Sequence, residues 1–482
     1  MRVCLINPPR IQPKVWGKPS VFPPIPLAYV AAVLEEENEV IIIDAPTEGR
    51  KNLQEMNNAT YRVGLSNKQI EKRIKQWTPE IVIIEIPFSG WAGTAFEVSS
   101  TIKQIDNNII NILYGQHPSA RPKACLEQGS IDFIAIGEAE NTIRELIKYL
   151  NIGSSEFEKV KGLAFIKNND IIITSPRPII KDLDSLPLPA RHLLPMDEYA
   201  IAVKETPLRG VIKKPWTIMI TSRGCPFKCV FCTHHIVWGR RWRGRSPQNV
   251  IYEIENLIEN YGIKQIDFLD DNMTLDRERM ESICDLIIKK RIHVEWFTPS
   301  GVRADTLDEN LLRKMKKAGC KKIRVAPESG VQKIVDKIIK KNLDLKSVEN
   351  AVRLCKKVGL RVGCFFVIGL IGETKDDIKE TINFAYKLKQ LGADSFIFSI
   401  ASPIYGTELY KQAKNEGYLK SGFCEESLAS AEPLIETPEF SSEDLVHLCE
   451  IANSVNPTFT RDKIIRAIMN PAKTIKILLG KT

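Results

Sequence analysis

Short apolar runs of strand length alternate with amphipathic segments throughout the first 150 residues. The segments between the runs, such as PLAYVAAVLEEE and AFEVSSTIKQI, place their apolar residues at helical spacing. Strands that are apolar on both faces and separated by helices predict a parallel sheet with helices on each side, a Rossmann-like α/β domain. The five runs are 2–7, 39–44, 79–86, 110–115 and 132–137.

Ligands of such open sheets bind where the strands end, at the carboxyl edge. A set of turn-forming and polar residues falls at that edge: Asn7, Pro8, Pro9, Ser89, Gly115 and Gly137. We therefore expect the ligand of a domain over residues 1–150 to lie against these positions.

The alternation stops at residues 151–211. A polar stretch is followed by a predicted hairpin, LAFIKNNDIIIT, and then by the proline-rich SPRPIIKDLDSLPLPARHLLP. Prolines stiffen extended segments and cannot continue helices, so this region is expected to be an interdomain connection along the surface.

A second alternation, with a longer period, occupies residues 212–405. Helical segments such as SPQNVIYEIENLIENY follow the strands, and in this one Ser246 is expected to cap the helix with Pro247 at its first position. Six β/α units predict a partial barrel whose site lies at the carboxyl ends of the strands. The six strands are expected at 217–221, 264–269, 293–298, 321–326, 361–368 and 394–400.

Residues 406–482 have helical patterns and end in a basic tail. Apolar residues of RDKIIRAIMNPAKTIKILLGK share one helical face that is bordered by Lys and Arg. Such a face is compatible with a helix at an anionic membrane surface, whereas a terminal helix that docks on the barrel is the favoured interpretation.

Composition places the chain among globular proteins of the cytoplasm. Of its 482 residues, 43% are hydrophobic and 26% charged, and no apolar run reaches the length of a membrane span. The N-terminus has no signal-peptide pattern. The net charge of +9 is concentrated at 238–245 (WGRRWRGR) and in the tail, which leaves nucleic acid, anionic lipid and acidic ligands open as partners.

Eleven cysteines, an odd and scattered set, argue against a disulfide framework. Six of them lie in strand-like or helical apolar patterns and are expected in the core: Cys4, Cys125, Cys284, Cys320, Cys355 and Cys364. Cys424 and Cys449, in the C-terminal part, are expected to be core or surface thiols.

Three further cysteines, Cys225, Cys229 and Cys232, stand within eight residues of TSRGCPFKCVFCTHH. A structural zinc site needs four ligands, and His234 and His235 follow Cys232 too closely for the usual paired geometry. A bacterial ferredoxin pattern would add a fourth cysteine nearby. A cluster held by three thiolates keeps one iron open, and an open coordination position is where a small molecule binds and reacts.

The C-x3-C-x2-C spacing directly after the first strand of a six-unit barrel, with Phe231 before the last cysteine, resembles the radical S-adenosylmethionine (SAM) superfamily. The resemblance implies a 4Fe-4S cluster on the three cysteines that chelates SAM and cleaves it to a 5′-deoxyadenosyl radical. It also implies a protein that supplies electrons, such as ferredoxin or flavodoxin.

Motifs at the ends of the later strands also match that family. FLDDN follows the second strand, VRADTL the third, APESG the fourth and VIGLIGET the fifth, while SPIYGTELY resembles the turn after the sixth. The resemblance implies that SAM binds beside these motifs, with Phe231, at Asp270, Asp271, Asn272, Arg303, Glu328, Ser329, Gly369 and Gly372.

The N-terminal domain followed by this barrel is similar to the cobalamin-binding branch of the superfamily, over about residues 1 to 415. INPP, GQHPS and IGEAE are the matching segments, which implies corrin contacts at the strand-end residues named above and at Gln116, His117 and Glu138. The D-x-H-x-x-G motif that supplies a lower histidine ligand to cobalt is absent after CLINPP, and Pro46 occupies the histidine position of DAPTEG. Cobalamin is therefore expected without a lower histidine, with His117 as the alternative.

The resemblance implies an enzyme that methylates an unactivated carbon of a small-molecule or lipid substrate. Oxidative cyclisation or carbon–carbon bond formation on a porphyrin or membrane lipid is the alternative, and the basic tail favours a membrane-derived substrate with peripheral membrane contact. A tRNA methylthiotransferase would carry a second cysteine cluster in the first 150 residues, which contain Cys4 and Cys125 alone. A nucleic-acid-binding module would use WGRRWRGR, which is instead expected to form a positive lid over SAM or the corrin.

Overall fold

The computed structural model describes residues 1–17, 19–205 and 213–456, and strands and helices alternate along most of that length. The strands are β1 (Arg2–Asn7), β2 (Arg10–Pro13), β3 (Glu39–Asp44), β4 (Leu53–Glu55), β5 (Thr60–Val63), β6 (Ile81–Glu85), β7 (Ile110–Tyr114), β8 (Phe133–Ala135), β9 (Leu163–Lys167), β10 (Asp170–Ile173), β11 (Trp216–Met219), β12 (Ser222–Arg223), β13 (Arg243–Gly244), β14 (Gln265–Phe268), β15 (Glu295–Val302), β16 (Cys320–Glu328), β17 (Arg361–Ile368) and β18 (Ser395–Ile400).

The α-helices in the described ranges are α1 (Ile25–Leu34), α2 (Ala45–Glu48), α3 (Asn67–Trp77), α4 (Ala92–Ile105), α5 (Gln116–Ala120), α6 (Pro122–Leu126), α7 (Ala139–Asn151), α8 (Met196–Glu205), α9 (His234–Trp238), α10 (Pro247–Tyr261), α11 (Arg277–Lys289), α12 (Glu309–Lys317), α13 (Leu345–Val358), α14 (Lys375–Leu391), α15 (Glu408–Asn415) and α16 (Ser442–Asn453).

The five strands predicted in the first 150 residues form one parallel sheet in the order β8-β7-β6-β1-β3. Alternate residues of β1 point to opposite sides, so Val3 and Leu5 pack under α1 and α7 while Cys4 and Ile6 pack under α3 and α4. Because β3 and β6 lie on opposite sides of β1, the strand order reverses there, and ligands of open sheets bind beside such a point.

The hairpin predicted in the connection exists, but it belongs to the first sheet. Strands β9 and β10 pair with each other in antiparallel fashion, and β9 pairs with β8. Two strands of the segment predicted as a surface connection therefore extend the first sheet. Residues 206–211 of that predicted connection lie outside the described residues. A separate small sheet, β2-β5-β4, was not predicted.

The six predicted barrel strands form a second parallel sheet in the order β11-β14-β15-β16-β17-β18. Helix α10 begins as predicted, with the Ser246 hydroxyl accepting from the backbone N–H of Asn249 and Pro247 at the first position. Helices α10 to α14 and α16 pack their apolar faces on this sheet and form the largest core. The partial barrel is open, since β11 and β18 are its two edges.

The six cysteines expected in the core are buried, while Cys424 is exposed and Cys449 is partly buried.

The C-terminal segment, which was expected to be helical, contains helices α15 and α16. The basic tail, residues 457–482, lies outside the described residues. Of the helices in the described ranges, none combines the length and the apolar character that a membrane crossing requires.

Candidate active site

The three-cysteine loop, residues 225–232, follows β11 and is held at its start by a short antiparallel pair, β12 with β13. Gly224 connects that pair to Cys225 with a φ of +82°, and a Cβ at this position would lie 2.4 Å from the carbonyl oxygen of Arg241. Only glycine fits a left-handed backbone this close to another chain segment. The local sequence therefore fixes where the loop leaves the strand.

The rest of the loop is held by backbone hydrogen bonds to other barrel loops. Val230 donates to the carbonyl of Ile339 at 3.1 Å, and its own carbonyl accepts from Leu409 at 3.0 Å. Phe231 packs with Val230 in an apolar group that includes Leu370. The three cysteines are partly buried, and the loop exposes Pro226 and Lys228 between them.

Burial raises the pKa of Cys225 and Cys229 and raises that of Cys232 to about 12, while the nearby cations Lys341 and Arg303 lower the first two. Metal ligation requires thiolates, which such cations favour. Within the described ranges, no group of three Cys, His, Asp or Glu side chains converges on a point that a single ion would occupy. A cluster meets its cysteines at different irons, and three thiols on one short loop fit such a cluster.

The FLDDN residues after β14 have three different environments. Asp270 accepts through Oδ1 from the backbone and hydroxyl of Thr221, at 3.1 and 2.7 Å, and so holds the strand that leads into the loop. Asp271 accepts from the N–H of Gly224 at 3.1 Å and contacts the ring of His234. Asn272 is 1% exposed, and neither atom of its amide group has a hydrogen-bond partner in the described residues.

A buried amide without partners in a folded chain calls for an explanation, and an absent ligand is one. The carbonyl and amino groups of Asn272 fit the ammonium and carboxylate of a bound amino acid. Asp270 and Asp271 hold the loop, with only Oδ2 of Asp270 lacking a partner in the described residues. Both polar side-chain atoms of Asn272 lack one, so Asn272 is the better candidate for a ligand contact.

Arg303, predicted as a SAM residue, joins two loops. Its guanidinium lies 3.7 Å from the centre of the Phe227 ring and donates to the carbonyls of Lys341 and Asn342 at 3.0 and 2.7 Å. Lys341 in turn donates to Glu328 at 2.6 Å. The structure therefore brings Arg303 and Glu328 to the cysteine loop, with Arg303 committed to the backbone of the neighbouring segment.

The remaining predicted SAM residues lie in two turns. Ser329 is fully buried and its hydroxyl contacts that of Thr381 at 3.0 Å, so it faces α14. Gly369 and Gly372 have φ angles of +80° and +86°. The carboxylate of Glu373 accepts from the N–H of Gly369 at 2.8 Å and closes the GLIGET turn.

A cavity of about 160 Å³ lies between the two domains. Its first wall comes from the carboxyl edge of the first sheet, and its second wall comes from the segment that follows Cys232. The lining includes Glu85, Tyr114, Gly115, Gln116, Gly137 and Glu140 on the first wall and Thr233, His234, Val237 and Trp238 on the second. The cysteine loop and the sheet edge therefore share one space.

The floor of this cavity carries buried polar groups. Burial raises the pKa of Glu85 to about 8, although nearby Arg10 lowers it. The Tyr114 hydroxyl lies beside the carboxyl of Glu85, and one oxygen of Glu140 lacks a hydrogen-bond partner in the described residues. At Gly115, whose φ is +114°, a Cβ would lie 2.6 Å from the carbonyl oxygen of Ile86. The polar groups of this floor are of the kinds that pair with the amide groups of a corrin.

The other predicted corrin contacts have protein partners. Asn7 donates to Asp44 at 2.6 Å, and Pro8 and Pro9 are buried beside it. Ser89 donates to Gln116 at 3.2 Å, and Gln116 donates to the carbonyl of Tyr405 at 3.0 Å. Of the predicted set, the structure brings Gly115, Gln116 and Gly137 to the cavity.

His117 is buried and does not line the cavity. Its ring lies between Phe96 and Tyr405, with centroids 6.1 and 6.0 Å away. Burial, followed by the charge of Arg121, lowers the pKa of His117 to about 4. The ring is packed between two aromatic side chains and away from the residues that line the cavity, so it is in a poor position to ligate a cobalt bound there.

The WGRRWRGR segment, predicted as a positive lid or a base-stacking surface, has a structural role in its second half. Arg243 donates to Glu138 at 2.9 Å, and Arg245 pairs with Glu253, which Arg191 also binds at 2.8 Å. These side chains are all buried. The lid prediction is wrong for Arg243 and Arg245, because they neutralise acids inside the domain interface.

Sequence reasoning missed Glu85, Tyr114 and Glu140 on the cavity floor, and Lys341 and Glu373 in the barrel. Glu85 and Tyr114 each close an apolar strand, in PEIVIIEI and INILYG. A polar residue at the last position of such a strand is the signal that would have found them, because that position faces the site.

Comparisons with known proteins identify two families in the chain. The Radical SAM superfamily profile matches residues 219–385, and the B12 binding domain profile matches residues 19–147. The first family implies a 4Fe-4S cluster and SAM, and the second implies cobalamin.

Three relatives are informative. An uncharacterised methyltransferase of Pyrococcus horikoshii is 33% identical over 449 residues, which cover 93% of this chain and 90% of the relative. The cytidylyl-2-hydroxyethylphosphonate methyltransferase of Streptomyces wedmorensis is 31% identical over 432 residues, 82% of this chain and 78% of the relative. The anaerobic magnesium-protoporphyrin IX monomethyl ester cyclase of Cereibacter sphaeroides is 25% identical over 409 residues, 82% of this chain and 61% of the relative.

The fold is similar to that of the radical SAM methyltransferase TsrM from Kitasatospora setae, solved with its tryptophan substrate and a SAM analogue. The TM-score is 0.68 at 16% identity, over 87% of this chain and 77% of that chain. Another structure of TsrM contains cobalamin and a 4Fe-4S cluster. With two family profiles in sequence order and a full-length relative at 33% identity, the chain belongs to the radical SAM superfamily, in the branch that carries a B12-binding domain.

Proposed function

We propose that this enzyme transfers a methyl group, by way of cobalamin, to an unactivated carbon of a small molecule. The observation that carries the proposal is the shared cavity. Thr233 and His234, directly after Cys232, face Tyr114 and Gly115 of the B12-type sheet edge across it. A cluster site and a corrin site that share one wall place a radical source beside a methyl carrier.

When bound, the cluster and SAM supply a deoxyadenosyl radical that removes hydrogen from carbon, and cobalamin supplies the methyl group. The chain's own residues hold these groups in place. Cys225, Cys229 and Cys232 are the candidate cluster ligands, and Asn272 is the candidate contact to the amino acid end of SAM. Tyr114, Glu85 and Glu140 are candidate donors and acceptors for the corrin's amides.

The second wall of the cavity has a further task, which is to keep the substrate near both cofactors. Trp238 is partly buried and lies against the guanidinium of Arg223, 4.4 Å from it, and Arg223 is itself bound to Glu140 at 2.7 Å. This wall is therefore held rigidly to the first sheet. A rigid, largely apolar wall excludes water from a reactive radical.

Methyl transfer is favoured over cyclisation by the relatives named as methyltransferases, which are 31% and 33% identical to this chain over most of their length. The cyclase relatives keep oxidative cyclisation or carbon–carbon bond formation on a porphyrin or membrane lipid as the second candidate. Since the phosphonate methyltransferase acts on a small polar molecule, we infer a small-molecule substrate.

The expected membrane contact depends on residues 457–482, which lie outside the described residues. It stays a prediction that removal of these residues and a liposome flotation assay would test. A nucleic-acid substrate is not part of the proposal, because Arg243 and Arg245 of the basic segment are buried in ion pairs.

The test is anaerobic reconstitution of the cluster, reduction with titanium(III) citrate, and addition of SAM with and without cobalamin. The products 5′-deoxyadenosine and S-adenosylhomocysteine are quantified by mass spectrometry. Both products, with S-adenosylhomocysteine dependent on cobalamin, are expected of a methylase. Formation of 5′-deoxyadenosine alone would favour cyclisation or coupling. The absence of both products would contradict the proposed function.

A further inference from the structure

Arg10, the first residue of β2, carries a guanidinium for which the chain supplies no acceptor. Its Nε is buried, and within the described residues the side chain makes neither a hydrogen bond nor an ion pair. A buried donor without an acceptor is costly in a folded chain. The arrangement therefore points to a partner that is not part of this chain.

Aromatic rings and backbone contacts hold the guanidinium in place. Its central carbon lies over the rings of Phe22 and Trp91, 4.6 and 4.7 Å from their centres. On either side of the arginine, the carbonyl of Pro9 accepts from Thr94 at 2.6 Å, and that of Ile11 accepts from the Trp91 indole at 3.0 Å. The rings stabilise the cation but provide no hydrogen-bond acceptor in the plane of its N–H groups.

Two buried carboxyl groups lie near Arg10, and neither compensates it fully. Asp44 accepts from Asn7 through one oxygen and from Tyr199 through the other, each at 2.6 Å. Burial raises the pKa of Glu85 to about 8, so at neutral pH most of this carboxyl keeps its proton and carries no charge. Burial lowers the pKa of Arg10, although the charge of Asp44 opposes this change.

Arg10 lies beside the floor of the shared cavity. Its charge acts on Asp44 at the end of β3 and on Glu85 at the end of β6, and Glu85 lines the cavity. Strand β1, which leads to Arg10, lies between β3 and β6, where the strand order reverses. Because ligands of open sheets bind beside such a reversal, the cation is placed where a bound ligand is expected.

We propose that Arg10 binds an oxyanion, a phosphate or phosphonate group, of a ligand that occupies the shared cavity. A guanidinium presents its N–H groups as a planar fork that matches two oxygens of such a group. The oxyanion supplies both things that the site lacks, which are hydrogen-bond acceptors and negative charge. The inference rests on the proposed function, since it takes this cavity as the place where cobalamin and the substrate meet.

Two sources supply an oxyanion of this kind. Cobalamin carries a phosphodiester in its nucleotide loop, and a small-molecule substrate can carry a phosphate or a phosphonate. Cobinamide, a corrinoid that lacks the nucleotide loop, keeps the corrin and its amides but has no phosphate, so it isolates the first source. Methylphosphonate is the probe for the second source.

The test compares Arg10→Gln with a matched control, Lys14→Gln, which removes one positive charge from the same segment at a side chain that pairs with Glu55. Circular dichroism melting curves first establish that each variant folds. Cobalamin-free protein is then titrated with hydroxocobalamin and with diaquocobinamide by isothermal titration calorimetry. Methylphosphonate binding to cobalamin-loaded protein is followed by the line width of its phosphorus-31 NMR signal.

We expect Arg10→Gln to bind cobalamin about tenfold more weakly and cobinamide as wild type does, which would assign the oxyanion to the nucleotide loop. Unchanged binding of both corrinoids, together with loss of the methylphosphonate broadening, would assign it to the substrate. The control variant should match wild type with every probe.

Two results would overturn the proposal. One is equal binding of all three probes by Arg10→Gln and wild type. The other is an equal loss for cobalamin and cobinamide, which would mean that Arg10 only supports the cavity floor. All of these measurements are made without SAM or a reductant, so failure of the proposed function would be seen separately.

A lower melting temperature of Arg10→Gln would be resolved by Arg10→Lys, which keeps a positive charge beside Asp44 and loses the planar fork. The same comparison then applies, with an expected loss of about threefold for the probe that carries the oxyanion. An Arg10→Lys variant that matches wild type with every probe would count against a guanidinium site.

Discussion

The guanidinium of Arg243 donates to both carboxylate oxygens of Glu138 at 2.9 Å, across the boundary between the barrel and the first sheet. Arg223 adds a second contact to Glu138 at 3.2 Å and binds Glu140 at 2.7 Å. All four side chains are less than a tenth exposed. This network fixes the two walls of the shared cavity relative to each other, and Glu140 is at once a member of the network and part of the cavity floor.

Replacing Glu138 with Ala should lower the free energy of unfolding by about 3 kcal/mol, because the buried Arg243 then lacks its carboxylate. Urea unfolding followed by circular dichroism measures this. Glu156→Ala, which removes an exposed pair with Lys159, is the control and should leave the unfolding midpoint unchanged. A Glu138→Ala midpoint equal to wild type would show that the interface does not depend on this network.

Cys229→Ala should abolish cluster binding and SAM cleavage together, because two thiolates cannot hold the cluster in the loop. The matched control is Cys424→Ala, which removes an exposed thiol elsewhere in the chain. Iron content, the absorbance of the cluster and the yield of 5′-deoxyadenosine are the measurements. Cleavage retained in Cys229→Ala would refute the assignment of the loop.

Asn272→Ala should weaken SAM binding about tenfold while cluster content stays at the wild-type level, since one or two hydrogen bonds to the ligand are lost. Asp270→Ala should instead reduce cluster content, because Asp270 holds Thr221 at the start of the loop. Equilibrium dialysis against SAM and iron analysis distinguish the two effects. Equal SAM affinity in Asn272→Ala and wild type would show that the buried amide of Asn272 does not contact SAM.

The strands and the cysteine loop were predictable because the signal for each lies within a short stretch of sequence. Eleven predicted strands occur where runs of apolar residues end in turn residues, and each is found in its expected sheet. The cysteines form one short motif after a strand, so spacing alone placed them. The radical SAM superfamily, its B12-binding branch and its cofactors were likewise identified from the sequence and are confirmed.

The roles of single charged residues were not predictable, because they depend on partners distant in sequence. Arg243 meets Glu138 across 105 positions, and nothing near either residue indicates the pairing. Within FLDDN, three adjacent polar residues face different neighbours, and only their packing separates the loop-holding Asp270 and Asp271 from the unpartnered Asn272.

Tyr114→Phe and Glu85→Leu should each reduce cobalamin affinity by about five- to tenfold, because each removes a polar group from the cavity floor. His117→Ala should bind cobalamin as wild type does, since His117 does not line the cavity. The amount of cobalamin that remains bound per chain after gel filtration ranks the affinities of wild type and the three variants. The Co(II) electron paramagnetic resonance spectrum should lack nitrogen coupling from a protein ligand in wild type, and such coupling lost in His117→Ala would contradict this placement.

Glu373 should make the protein less stable as the pH rises from about 4.5 to 8. Burial raises the pKa of this carboxyl from 4.5 to about 8, so between these values the folded protein keeps a proton that the unfolded chain releases. The folded state then binds more protons than the unfolded state, and the free energy of unfolding falls with increasing pH.

Glu373→Gln keeps an acceptor for the N–H groups of Gly369 and Leu370 and removes the titration of this side chain. Its stability relative to wild type should therefore grow between pH 5 and pH 8, as measured by urea unfolding at both values. Glu36→Gln, at an exposed position, is the control, and a Glu373→Gln difference that stays constant with pH would show that Glu373 is ionised in the folded protein across this range.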